Sequence, residues 1–167
     1  MSLISHTHAQ RYRDYYARTE IASRPNRWQQ TIEILAHAIG AESVLDYGCG
    51  GAVSLGRYMD MDVRNYDPGL PEHAAEPEPA DIVVCLDVLE HIETDTEQDV
   101  IRHLESLALK ALFITVSCQE SQSKKLPDGT PWHSHVRPQE YWRQVFAGYQ
   151  EIACTDDRNQ FICMRLT

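Results

Sequence analysis

Between Val44 and Gly51 the chain reads Val-Leu-Asp-Tyr-Gly-Cys-Gly-Gly, an apolar run that stops in glycines. A strand that feeds straight into such a turn, with a helix beyond it, opens a parallel α/β unit. Glycine lets the backbone pass close to a ligand, and the start of the next helix offers main-chain N–H groups. Asp46 adds a carboxylate acceptor at the strand's end. Twenty-one residues later Asp67 ends a second apparent strand, Val63-Arg64-Asn65-Tyr66-Asp67, where an acid is suited to accept from both hydroxyls of a ribose. The pair predicts a nucleoside-bearing ligand.

The spacing of the glycines narrows the ligand. A dinucleotide fingerprint needs a glycine three positions after Gly50, and Val53 stands there. The segment from Asp81 to Ile92 then gives an apolar run, Ile82 to Leu86, followed by Asp87, Glu90 and His91. That is the form of a central parallel strand delivering polar groups at its carboxyl end. With V-L-D-Y-G-C-G at one strand and D-V-L-E-H at the other, the chain from Trp28 onward resembles the class I S-adenosylmethionine-dependent methyltransferases. The resemblance implies a Rossmann-like α/β sandwich, a mostly parallel sheet closed by an antiparallel C-terminal hairpin, and S-adenosylmethionine as cofactor. It implies cofactor contacts from Asp46, Tyr47, Gly48, Cys49, Gly50, Asp67, Pro68 and Asp87, with Asp46, Gly48 and Gly50 on the methionine side and Asp67 on the ribose.

Two features depart from that pattern. Ala52 occupies the position of a third glycine, and the stretch from Pro68 to Ala80 carries Pro68, Pro71, Pro77 and Pro79, too many for a helix and a strand. The family's third strand and its helix are therefore expected to be missing. In this compactness the chain is similar to small methyltransferase-like proteins of bacteriophages and bacteria.

Periodicity supplies the remaining elements. Trp28, Ile32, Leu35, Ala36 and Ile39 recur at helical spacing, with Gly40 placed to end the helix. Thr94 to Glu97 has the form of a capping box for a helix carrying Val100, Ile101, Leu104 and Leu107 and running to about Lys110. Ala111 to Val116 is the next strand. Pro138 opens a helix bearing Tyr141, Trp142, Val145 and Phe146, and the segments 149–154 and 160–166 form the closing hairpin. Residues 1–167 are expected to form a single domain, with 1–26 as an aromatic arm or helix and 121–137 as a substrate-side loop built on the Leu126-Pro127-Asp128-Gly129 turn.

Composition bounds the function. The 167 residues carry a net charge of −10 with histidines neutral, which disfavours a broad phosphate-tracking surface. Lys124, Lys125, Arg137 and Arg143 leave room for a local one, or for a solvated loop and helix face. Five separate cysteines, Cys49, Cys85, Cys118, Cys154 and Cys163, show no C-x-x-C pair and read as reduced core residues. No apolar run approaches the roughly 18 residues of a membrane span, and the N-terminus lacks the plan of a signal peptide, so a cytoplasmic protein is expected.

Methyl transfer is an in-line displacement, to which a protein contributes alignment and, for a hydroxyl or acidic N–H or C–H acceptor, a base. The candidates are Asp87, Glu90, His91 and His133, with His91 or His133 as the base. D-x-x-E-H with a later histidine is also similar to the metal-binding pattern of small-RNA 3′-terminal ribose methyltransferases. That likeness implies Asp87, Glu90, His91 and either His133 or His135 around one divalent ion; a metal-free site is the favoured expectation. The expected activity is methyl transfer to a small molecule, a nucleotide or a nucleic acid. The alternatives are a cofactor-binding or phage accessory module without turnover and, third, a nicotinamide oxidoreductase.

Overall fold

The computed structural model describes residues 3–121, 124–152 and 159–167. Its elements in chain order are α1 (His6–Arg18), α2 (Gln29–Ile39), β1 (Ser43–Tyr47), α3 (Ser54–Tyr58), β2 (Asp62–Tyr66), β3 (Ala80–Leu86), α4 (Glu97–Leu107), β4 (Ala108–Ser117), α5 (Gln139–Val145), β5 (Gln150–Glu151) and β6 (Gln160–Leu166). Short 3-10 turns lie at Pro71–His73, Leu89–His91 and Thr94–Thr96.

The strands form one sheet in the order β2-β1-β3-β4-β6-β5. β1 pairs in parallel with β2 and β3, and β3 in parallel with β4, whereas β6 runs antiparallel to both β4 and β5. Between β2 and β3 the chain makes only the Pro71–His73 turn, so β2 is an edge strand and the expected omission of a strand and helix is met. The closing hairpin is also met, with its connection and Cys154 outside the described residues.

Alternation along the strands sends side chains to opposite faces, and each face builds its own core. Leu45, Val83, Cys85, Leu112 and Ile114 meet Val100, Ile101 and Leu104 of α4 and Trp142 of α5. On the other face Val44, Ile82, Val84 and Phe113 meet Ile32 and Ala36 of α2 and Leu55 of α3. The result is a three-layer sandwich whose polar strand ends converge on one rim.

Local sequence explains most of the boundaries. Gly40 takes the left-handed conformation, φ +62°, that ends α2, as its position predicts. α4 stops at Leu107 rather than Lys110, because Ala80 pairs with Ala108 and draws that segment into β4. The capping box is not formed. Thr96 precedes α4 without a side-chain cap, and Thr94 and Glu97 turn toward His135 instead.

Candidate functional site

The glycine turn after β1 is stitched to the end of β2. The amides of Gly48 and Cys49 both donate to the carbonyl of Tyr66, at 2.7 and 3.1 Å. Gly48 has φ +80°, and a Cβ there would stand 2.4 Å from Cγ2 of Val88. No larger residue satisfies both constraints. Asp67 closes the turn from the other side: its Oδ2 accepts from the amide of Gly50 at 3.1 Å and its Oδ1 from that of Gly69 at 2.8 Å.

A cleft opens over this turn. Tyr47, Gly48, Gly50, Asp67, Pro68 and Asp87, six of the sequence-predicted cofactor residues, line it, together with Val88, Ile92 and Val100. Asp46 is buried, and neither it nor Cys49 is on the cleft wall. α1 forms the roof through His8, Tyr12 and Tyr16, so the aromatic arm lies across the cleft. Burial pushes the Asp46 carboxyl up to about 7, and the neighbouring Asp67 charge adds to the shift. Burial and the same two carboxylates push the Cys49 thiol up as well, which keeps it an unreactive thiol. The other described cysteines, Cys85, Cys118 and Cys163, are buried and unpaired, as expected.

A second cleft joins the first at Asp87, His91 and Trp132, and adds Glu90, Ser117, Gln119, His133 and Gln160. All four sequence-predicted catalytic residues line it. Asp87 sits at φ +56°, and its Oδ1 accepts from the Thr115 hydroxyl at 2.7 Å and from the Gln160 amide. Glu90 is fully buried: Oε1 accepts from the amide of Ser117 at 3.2 Å, while Oε2 has no hydrogen-bond partner. Burial, reinforced by Asp87, drives its carboxyl well above the usual range.

The two histidines of this cleft are held in one tautomer. His91 Nδ1 lies 2.7 Å from the carbonyl of Trp132, and His133 Nδ1 lies 2.6 Å from that of Gln119. A carbonyl only accepts, so each Nδ1 carries the proton and each Nε2 keeps its lone pair. Burial lowers the His91 imidazole to about 3, against the opposing pull of the Trp132 carbonyl, so it stays neutral. One carboxylate oxygen of Glu90 and one ring nitrogen from each of His91 and His133 lie within 4.8 Å of one another.

His135 is not part of this cluster. Its ring is buried against Glu97, with Nε2 2.6 Å from Oε2, which corrects the expectation that it is an alternative to His133. Asp87 also lies outside the three-residue cluster. Among the basic residues, Arg143 is bonded to Glu151, Lys124 lies over the ring of the cleft-wall residue Trp132, and Arg137 lies over that of Tyr141. Sequence reasoning missed Trp132 and Gln160 as wall residues. Thr115, the one hydroxyl in an otherwise apolar run from Ala111 to Val116, was the readable signal of a polar partner at this rim.

Comparison with solved structures decides the architecture. The chain aligns with the N-methyltransferase NodS from Bradyrhizobium japonicum WM9, in complex with S-adenosylhomocysteine, at a TM-score of 0.60 and 11% identity over 96% of this chain and 98% of that one. It aligns with the methyltransferase domain of a bacterial Hen1 at 0.56 and 15%, over 83% and 96%. Magnesium protoporphyrin IX methyltransferase from Synechocystis PCC 6803, with bound S-adenosylhomocysteine, aligns at 0.54 and 19%, over 96% and 94%. This is the class I methyltransferase fold. No protein-family model and no curated protein sequence matches the chain. Within the methyltransferase fold the glycine turn, Asp67 and Asp87 stand at the carboxyl ends of β1, β2 and β3, the rim where open α/β sheets bind ligands. Among the described residues no helix is long and apolar enough to cross a membrane.

Proposed function

We propose that this protein transfers a methyl group from S-adenosylmethionine to a hydroxyl-bearing small molecule or nucleotide. The cofactor occupies the cleft roofed by α1, and the acceptor the cleft beside Glu90, His91 and His133. The observation that carries this reading is the junction of the two clefts: Asp87, His91 and Trp132 line both, so the reacting centres of two ligands can meet there. The amino end of the methionine moiety and the sulfonium are cationic, and Asp67 and Asp87 on the wall, with Asp46 buried behind the turn, give this side of the cleft an acidic character that suits them. Both oxygens of Asp67 are already bonded to turn amides, but each retains a lone pair for a ribose hydroxyl.

The donor set in the second cleft fits a divalent cation. A buried carboxylate oxygen without a partner costs free energy unless something else binds it, and two imidazoles tied back through Nδ1 are oriented as metal-ligating histidines are. Glu90, His91 and His133 would hold the ion. Bound there, a divalent cation lowers the pKa of an acceptor hydroxyl. His91, with its depressed pKa, is a poor general base and a suitable neutral ligand. Trp132 and Tyr12 shield the cluster, with ring centroids 5.2 and 5.9 Å from that of His91.

Incubation with methyl-labelled S-adenosylmethionine and a panel of nucleosides, phenols and other hydroxylated acceptors, with and without manganese, tests the proposal. Transfer to at least one acceptor that is lost in Asp87→Ala supports it. Cofactor binding without transfer to any acceptor would favour the accessory-module alternative.

A further inference from the structure

Trp132, Ser134 and His135 are fastened to Glu90, His91 and Ile92, while His133 between them is tied to the carbonyl of Gln119. The carbonyl of Trp132 takes the Nδ1 proton of His91 at 2.7 Å, and the hydroxyl of Ser134 donates to the carbonyls of His91 and Ile92 at 3.0 and 3.3 Å. The amide of His135 donates to the carbonyl of Glu90 at 2.9 Å. Beyond this seam the chain ends in one buried anchor. His135 and Glu97 are 1% and 4% exposed, Nε2 of His135 donates to Oε2 of Glu97 at 2.6 Å, and the Thr94 hydroxyl lies 3.0 Å from Nδ1. The Tyr141 hydroxyl reaches both oxygens of Glu97, at 2.8 and 3.0 Å.

We infer that the Glu97–His135 pair is a positioning latch that sets the register of the loop carrying Trp132 and His133, and through it the tautomer and placement of His133 beside Glu90. A fully hydrogen-bonded buried pair contributes less to net stability than to geometric uniqueness, since apolar residues of the same volume would fill the space as well. Glu97 and the neighbouring Thr94, the two residues whose sequence promised a helix cap, both engage His135 instead. Glu97 opens α4 and spends its carboxylate on a loop distant in sequence by 38 residues rather than on the helix's own amides. Neither Glu97 nor His135 lines either cleft, so the pair acts through the loop and does not touch a ligand. The purpose of the register, holding His133 for a cation or an acceptor, rests on the proposed function; the register itself does not.

Long-range 1H–15N spectra of the imidazoles in metal-free protein labelled at histidine test the latch without any substrate. Wild type is expected to show His133 as the Nδ1–H tautomer. In Glu97→Ala, His133 is expected to move to the Nε2–H form or to an exchanging mixture, with S-adenosylhomocysteine affinity kept within threefold and manganese affinity reduced tenfold or more. Glu97→Gln, which keeps an acceptor oxygen, should restore the wild-type spectrum. Unchanged His133 signals in folded Glu97→Ala would overturn the inference, as would wild-type His133 found in the Nε2–H form. His135→Gln is the second probe; cooperative loss of structure in both variants would show that the pair carries the fold and not the register, which also overturns it. Failure of wild type to bind manganese would count against the cation reading alone, because the tautomer readout stands without it.

Discussion

The Nδ1–H of His91 is given to the carbonyl of Trp132 across 2.7 Å, which commits a half-buried, neutral imidazole to offering only its Nε2 lone pair. Beside it Glu90 carries the opposite problem, an acid whose Oε2 has no partner. The two residues are adjacent in sequence, and together they set an acceptor nitrogen and an unpartnered carboxyl oxygen side by side in the second cleft.

That arrangement fixes a stability consequence for Glu90. Its carboxyl is raised in the folded state, so the folded protein retains a proton that the unfolded chain releases above about pH 4.5. Metal-free wild type therefore loses stability as pH rises from that value toward the folded pKa. Glu90→Gln removes the ionisation, and we expect it to raise Tm at pH 8 by about 3 °C or more, with little effect at pH 4. The same variant should abolish manganese binding. Thermal denaturation at the two pH values checks both the sign and the size; a lower Tm at pH 8 would mean that the carboxylate is ionised and satisfied.

Gly48 is constrained twice, by φ +80° and by Val88. Gly48→Ala is expected to cost about 2–5 kcal/mol, from left-handed strain plus overpacking, and to eliminate S-adenosylhomocysteine binding. Adding Val88→Ala should recover the packing part of the loss and leave the strain. Chemical denaturation of the two variants separates the contributions.

Asp46 predicts the pH dependence of the cofactor cleft. With its carboxyl pushed up to about 7, Asp46 is largely protonated below that pH and ionised above it. A cationic ligand favours the ionised form, so S-adenosylmethionine affinity should rise between pH 6 and 8, with proton release on binding below pH 7. Calorimetry in buffers of different ionisation enthalpy measures the release, and Asp46→Asn should flatten the profile.

Asp67 accepts from two turn amides, whatever it contributes to a ribose. Asp67→Ala should therefore weaken S-adenosylhomocysteine at least tenfold and also speed hydrogen exchange at Gly50 and Gly69. Loss of affinity with unchanged exchange would assign Asp67 to the ligand alone.

The sheet and its rim were legible in the sequence because both rest on local rules. Strand alternation, the glycine turn and the proline-rich gap after Asp67 each act over a few residues, and each was met. The partnership of the polar residues was not legible, because it depends on distant elements. Thr94-x-x-Glu97 satisfies a local capping rule, yet His135 outcompetes the helix amides for both side chains. His133 and His135 are two residues apart on one loop, and only the fold shows that one enters the cleft while the other is buried behind it. The −10 charge likewise gave no hint that Arg143 is neutralised by Glu151.

The most direct test of the account is titration calorimetry of the purified protein with S-adenosylhomocysteine, repeated with manganese present. The account predicts micromolar, one-to-one binding that is lost in Gly48→Ala and only modestly altered by Glu90→Gln. Absence of binding by wild type in either condition would contradict the assignment of the α1-roofed cleft to this cofactor.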